Sequence, residues 1–133
     1  MGPGLIRRPL LVGLALGIAA LAAIAADHSD QKFPDVVSVK VTPRSAGVFD
    51  FDVTVSSPYD TPQRYADAIR VVAKPNIVLG ERILFHDHAD EQPFTRDLQG
   101  VKIPSNIRSV AVQARDKANG YGGRTVEVKL PGR

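Results

Sequence analysis

The sequence predicts an all-β protein, one antiparallel β-sandwich of about seven strands behind an N-terminal signal helix. Three observations predict it. Apolar and polar residues alternate with period two in segment after segment, as in Phe49, Phe51, Val53 and Val55 against Asp50, Asp52 and Thr54. Turn-forming residues interrupt these segments roughly every 8–15 residues, a spacing suited to a sandwich. No segment after residue 26 carries the 3.6-residue period of an amphipathic helix. At 133 residues the chain has room for one such domain.

Residues 1–26 have the layout of an export signal. Arg7 and Arg8 form the charged start, Leu10 to Ala22 the apolar stretch, and Ala23-Ile24-Ala25 a small-x-small cleavage site. The apolar run of about 17 residues is at the short limit for spanning a bilayer, so the alternative is an uncleaved membrane anchor. Residues 27–34 are polar and predict a flexible lead-in, with the sandwich domain occupying residues 35–131.

Within that domain Val37, Val39 and Val41 alternate with polar residues and predict the first strand. Thr42 to Gly47 predicts a turn, and Phe49 to Val55 the clearest strand. Ser56 to Gln63 predicts a loop. Tyr65 to Ala73 is ambiguous, because its alanines allow a helical turn while Ile69, Val71 and Val72 favour a strand. After the turn Lys74-Pro75-Asn76, Ile77 to His86 predicts a strand kinked at Gly80. Phe94 to Ile103 predicts a strand broken at Gly100, followed by a turn at Pro104-Ser105-Asn106. Val110, Val112 and Ala114 mark the next strand. Asp116 to Gly123 predicts a glycine-containing loop, and Val126, Val128 and Leu130 the last strand.

The spacing of these strands resembles an immunoglobulin-like sandwich, and the absence of Cys and Trp makes the fibronectin type III-like variety the nearer resemblance. The phrases YADAIRVV, LGERILFHDHADEQPFTRDLQGVKIP and ARDKANGYGGRTVEV resemble a family of small exported proteobacterial proteins of unassigned activity. That resemblance implies an exported sandwich and carries no catalytic residues with it.

Composition narrows the function. The net charge of +3 is misleading, since Arg7 and Arg8 belong to the leading segment; without them 15 basic residues face 14 acidic ones. A folded part this balanced lacks the basic field of a nucleic-acid binder. The absence of cysteine excludes thiol nucleophiles, zinc–thiolate sites and disulfide staples. No G-x-S-x-G, P-loop or H-E-x-x-H motif occurs, so nothing marks the chain as an enzyme.

Four constellations remain. In LFHDHADEQPF, an extended segment from Ile83 to His88 would turn Ile83 and Phe85 to the core and set Leu84, His86 and His88 on the other face. Imidazoles roughly 6.5–7 Å apart along a strand can converge on copper(II) or zinc, with Glu91, Asp90, Asp67 or Asp116 completing the set. The bland alternative is a solvated strand end. Cleavage after Ala25 would expose Ala26-Asp27-His28, whose amine, backbone nitrogens and imidazole suit square-planar copper(II) or nickel(II). In Asn119-Gly120-Tyr121-Gly122-Gly123, Tyr121 would stand at a loop tip as a recognition residue, or else cover the end of the core. Asp60, Tyr65 and Asp67 could line an acid–base or calcium site, although no Asp-x-Asp-x-Asp-Gly loop is present.

The expectation is an exported, non-catalytic domain, periplasmic or secreted. It would recognise a periplasmic protein or small ligand at loops of one sandwich end, with Tyr65, Asp67, Asp116 and Tyr121 as binding candidates. Membrane contact would come only through an uncleaved signal segment. The alternative is a periplasmic copper- or zinc-binding protein using His86 and His88 with Glu91 and His28.

Overall fold

The computed structural model describes Gly4 and residues 28–133. The signal helix expected over residues 1–26 lies outside the described residues. The described part is an all-β sandwich of two antiparallel sheets. Its strands are β1 (Asp35–Ser45), β2 (Val48–Ser56), β3 (Ala66–Ala73), β4 (Ile77–Ile83), β5 (Phe94–Lys102), β6 (Ser109–Asp116), β7 (Gly120–Tyr121) and β8 (Val126–Lys129). One sheet has the order β1-β2-β5; in the other β4-β3-β6 continues into β7, and β8 also pairs with β6. The fourth strand thus pairs with the third, whereas constant-type immunoglobulin domains keep it beside the fifth.

The core lies between the sheets. Alternation places Phe49, Phe51, Val53 and Val55 of β2 against Val110, Val112 and Ala114 of β6, with Phe94, Leu98, Ile69 and Leu130 filling the layer. The segment 65–73 is a strand because it is central. β3 is paired on both sides, and Ala66 and Ala68 are fully buried. The break predicted at Gly100 is a bulge: Phe49 pairs with Val101 and Phe51 with Leu98, leaving one extra residue on β5. Gly100 takes φ +68° there and donates its N–H to Asp50 Oδ1 at 2.8 Å.

Three expectations need correction. The turn predicted over residues 42–47 is shorter, because β1 runs to Ser45 and reverses at Ala46-Gly47. The lead-in is not free of the fold. Pro34 is fully buried, Arg64 donates to the carbonyls of Ser29 and Gln31, and Asn119 Nδ2 donates to Lys32 O at 3.1 Å. The glycine loop carries a two-residue strand, β7, at Gly120–Tyr121. β7 pairs with Arg115 and Asp116, and five residue steps separate Tyr121 from Val126 where β6 takes three from Arg115 to Val112.

The two additional residues let the last strand step sideways onto β1: Val36 N donates to Arg124 O at 2.9 Å, and Arg124 N donates to Asp35 Oδ1 at 2.8 Å. The glycines are needed for this approach. A Cβ on Gly123 would stand 2.0 Å from Pro34 O, and one on Gly122 2.6 Å from the Phe33 ring.

Candidate functional site

Register places several loops at one end of the sandwich. Asp35 pairs with Ser56, Val55 with Phe94, Ala68 with Ile83 and Ala66 with Asp116. The loops 57–65, 84–93 and 117–119 and the lead-in before β1 therefore share that end. The two segments singled out in the sequence, 86–92 and 116–123, both reach it, and loop 57–65 contacts both.

The first contact is made by Asp60, which is buried. Its Oδ1 accepts Ala66 N at 3.2 Å and its Oδ2 accepts His88 N at 3.0 Å. Burial pushes its pKa up, while the bonds from His88, Ser57 and Ala66 work against that rise. Gln92 completes the join: Oε1 accepts Ser57 N at 2.7 Å, while Nε2 donates to Ser57 Oγ at 3.2 Å and to His88 O at 3.0 Å. Buried polar groups on two loops thereby satisfy one another.

His88 is only 6% exposed and its ring stacks on Phe94 with centroids 3.7 Å apart. Arg96 Nη2 lies 3.4 Å from Nδ1, which makes Nδ1 the acceptor and assigns the proton to Nε2. Nε2 is buried without a hydrogen bond; the Ala66 backbone is near enough to favour the charged ring, but not in hydrogen-bond geometry. Burial, then Arg96, then His86 hold the pKa of His88 below its ordinary value. Arg96 is itself paired with both carboxylate oxygens of Glu91, at 3.1 and 3.3 Å, which holds the Glu91 pKa down.

The second contact centres on Asp116, which is fully buried. Its Oδ2 accepts Ala118 N at 2.9 Å and Asn119 N at 2.8 Å, closing the β6–β7 turn. Arg64 Nε lies 3.2 Å from Oδ1, and the Arg64 guanidinium covers the Tyr59 ring at 4.0 Å. The buried Tyr59 hydroxyl is pushed far up in pKa, first by burial and then by Asp116. Tyr59 Oη and Asp116 Oδ1 are close enough to influence each other, yet neither has a hydrogen bond of normal geometry.

The residues proposed from sequence for binding are occupied within the fold. Tyr65 is buried, with Lys117 Nζ 5.0 Å over its ring. Asp67 holds Arg115 through two bonds of 2.7 and 3.1 Å. Tyr121 is not at a loop tip: it lies on β7, half-buried, and its hydroxyl donates to Glu81 Oε2 at 2.8 Å. Burial, followed by the Glu81 contact, pushes its pKa up.

The facing of the histidine segment is the reverse of the expected one. β4 ends at Ile83, and Leu84 N then donates to Asp67 O at 2.9 Å. Ile83, expected to face the core, is 39% exposed while still paired with Ala68, so the reversal begins within β4. Leu84 and His88 turn inward, whereas His86 is exposed and Phe85 is 79% exposed. His86 and His88 do not share a face. Among the described residues no group of three His, Asp or Glu side chains is arranged to hold a metal. His28 is exposed; Ala26 and Asp27, which the N-terminal copper reading requires, lie outside the described residues.

Sequence reasoning missed Phe85 as a surface residue. It stands beside exposed His86, and exposed Asp90 and half-exposed Asp87 follow in the same loop. Asp87 Oδ2 accepts Ala89 N at 3.1 Å, which fixes the turn. A large apolar group on a braced loop with a polar surround can dock into a partner. Comparison with family models, with curated proteins and with solved structures gives no match for this chain.

Proposed function

We propose that the chain is an exported, non-catalytic interaction domain that recognises a protein partner through the loop end of its sandwich, with Phe85 as the anchor. The carrying observation is the exposure of Phe85, 79%, on a loop whose neighbours Leu84 and His88 are buried and bonded to the scaffold. An aromatic held this way loses little conformational freedom on binding and buries a large apolar area. Asp87 and Asp90 beside it favour a partner pocket with a basic rim. Export is supported by the charged, apolar and small-residue order of residues 1–26. The pairing of β4 with β3 favours the fibronectin type III-like variety of sandwich over the constant-type immunoglobulin one.

The test compares full-length wild type with Phe85→Ser in affinity capture from the cell envelope, using Ala46→Ser at the opposite turn as control. Partners retained by wild type and Ala46→Ser but lost by Phe85→Ser support the reading. Identical partner sets for all three chains overturn it.

A further inference from the structure

The outer face of the larger sheet carries a hollow with an arginine in its floor. One part, about 420 Å³, is lined by Arg70, Val72, Val78, Ala111, Gln113 and Thr125 among others. A smaller part, about 170 Å³, shares Arg70, Gln113 and Thr125 and is closed by Tyr121 and Gly122-Gly123. The larger volume falls within the range of small-ligand sites.

Arg70 is fixed from two sides. Its Nε donates to Gln113 Oε1 at 2.7 Å, and its guanidinium carbon lies 3.6 Å over the centre of the Tyr121 ring. Tyr121 is anchored in turn by Glu81, so the stacking platform is rigid. Glu81 is the cross-strand partner of Arg70, yet its carboxylate is used by the Tyr121 hydroxyl and forms no ion pair with Arg70 among the described residues. The two terminal nitrogens of Arg70 have no hydrogen-bond or ion-pair partner among the described residues.

By contrast, the other arginines nearby are committed: Arg115 to Asp67 and Arg82 to Asp97. A half-buried guanidinium held by stacking, with its terminal N–H groups unused, is arranged to receive a planar anion. Val72, Val78 and Ala111 give the adjoining wall an aliphatic character. Lys74 at the rim is paired with Glu127 at 3.7 Å, so it adds little charge.

We propose that this hollow binds an aliphatic monocarboxylate, either a free acid or the carboxyl-terminal residue of a peptide, with Arg70 as the carboxylate fork and Val72 and Val78 against the alkyl part. The chemistry is recognition only, and no bond is made or broken.

The test is a nuclear magnetic resonance titration of ¹⁵N-labelled full-length chain with hexanoate, with its neutral analogue hexanamide, and with an acetylated Ala-Leu dipeptide bearing either a free or an amidated terminus. Saturable shifts centred on the Gln113 and Thr125 amides are expected with hexanoate and not with hexanamide. Response to the free-acid dipeptide but not the amide assigns the peptide source; response to hexanoate alone assigns the free acid.

Arg70→Gln should weaken binding roughly ten- to a hundredfold, the loss of a charge-assisted fork. Thr125→Glu, which leaves the Arg70 stack in place and adds a carboxylate to the hollow, should weaken it comparably. Absence of saturable shifts, equal response to hexanamide, or unchanged affinity in both variants would overturn the proposal.

Discussion

Asp60 and His88, 28 residues apart in sequence, are joined by a 3.0 Å bond from the His88 backbone N–H to a buried carboxylate oxygen. The other oxygen of Asp60 accepts Ala66 N where β3 begins. One side chain therefore fixes the start of a central strand and the loop that presents Phe85. The proposed recognition role of Phe85 rests on this position, because the loop that presents the exposed aromatic is held by it.

Asp60→Ala should leave two buried N–H groups without an acceptor and cost about 3 kcal/mol of stability. Chemical denaturation of the two proteins measures this as a lower midpoint at unchanged slope. Asp60→Asn should cost less, since one acceptor survives while the amide N–H₂ opposes the other donor. A wild-type midpoint in Asp60→Ala would show that water or loop movement replaces both bonds.

His88 should make stability fall under mild acid. Its native pKa lies below the ordinary value of 6.5, so the unfolded chain takes up the proton first. The contribution is whole above pH 6.5 and is lost as pH falls toward and through the native value. Protonation would also set an N–H on Nδ1 against Arg96 Nη2.

Urea midpoints at about pH 7 and about pH 5 should differ more in wild type than in His88→Phe, which keeps an aromatic ring on Phe94 but cannot titrate. Asp60, raised in pKa by burial, contributes with the opposite sign, its share being lost as pH rises from 3.8 through the native value, and it is present in both proteins compared. Equal pH dependence in both proteins would remove His88 as the cause.

Gly123→Ala should destabilise by about 3 kcal/mol, near the upper end of overpacking costs, because the new Cβ meets the Pro34 backbone at 2.0 Å and must separate the last strand from β1. Gly122→Ala should cost about 1 kcal/mol, since the obstacle is the Phe33 ring, which can swing aside. Thermal melts of the two variants give the order. A reversed order would mean that the β1 contact is softer than the sideways step of the last strand implies.

The sandwich was legible because its strands are strongly patterned where they face one core. Phe49, Phe51, Val53 and Val55 alternate without a break, and each is buried. β3 is harder to read because its pairing to β4 and to β6 is each broken by a register shift and its alanines Ala66, Ala68 and Ala73 are all buried, so period two is interrupted. The histidine segment was misread for a related reason. Alternation reads with the wrong phase there: the register shift opposite Val71 and Val72 leaves one extra residue on β4, and Ile83, still paired with Ala68, is 39% exposed while Leu84 is buried.

The glycine run reads as a loop, whereas its physical reason is the close approach of Phe33 and Pro34, about 90 residues away in sequence, a distance no local rule spans. The roles of Asp60 and Asp116 as hubs likewise depend on register between distant strands. Asp116 reads from sequence only as a candidate metal ligand or binding residue, and nothing in the local sequence marks it as the fully buried acceptor of its own turn.

Phe85→Ser should change stability by less than about 0.5 kcal/mol, because the side chain is 79% exposed and packs little. The most direct measurement of the central claim is therefore photocrosslinking in intact cells from a benzophenone amino acid at position 86, exposed and next to Phe85, with the same probe at exposed Ser105 near the opposite end as control. The account predicts a discrete adduct from position 86 that vanishes when Phe85→Ser is added, and none from position 105. An adduct at position 86 that persists without Phe85, or no adduct there at all, would contradict recognition through this end.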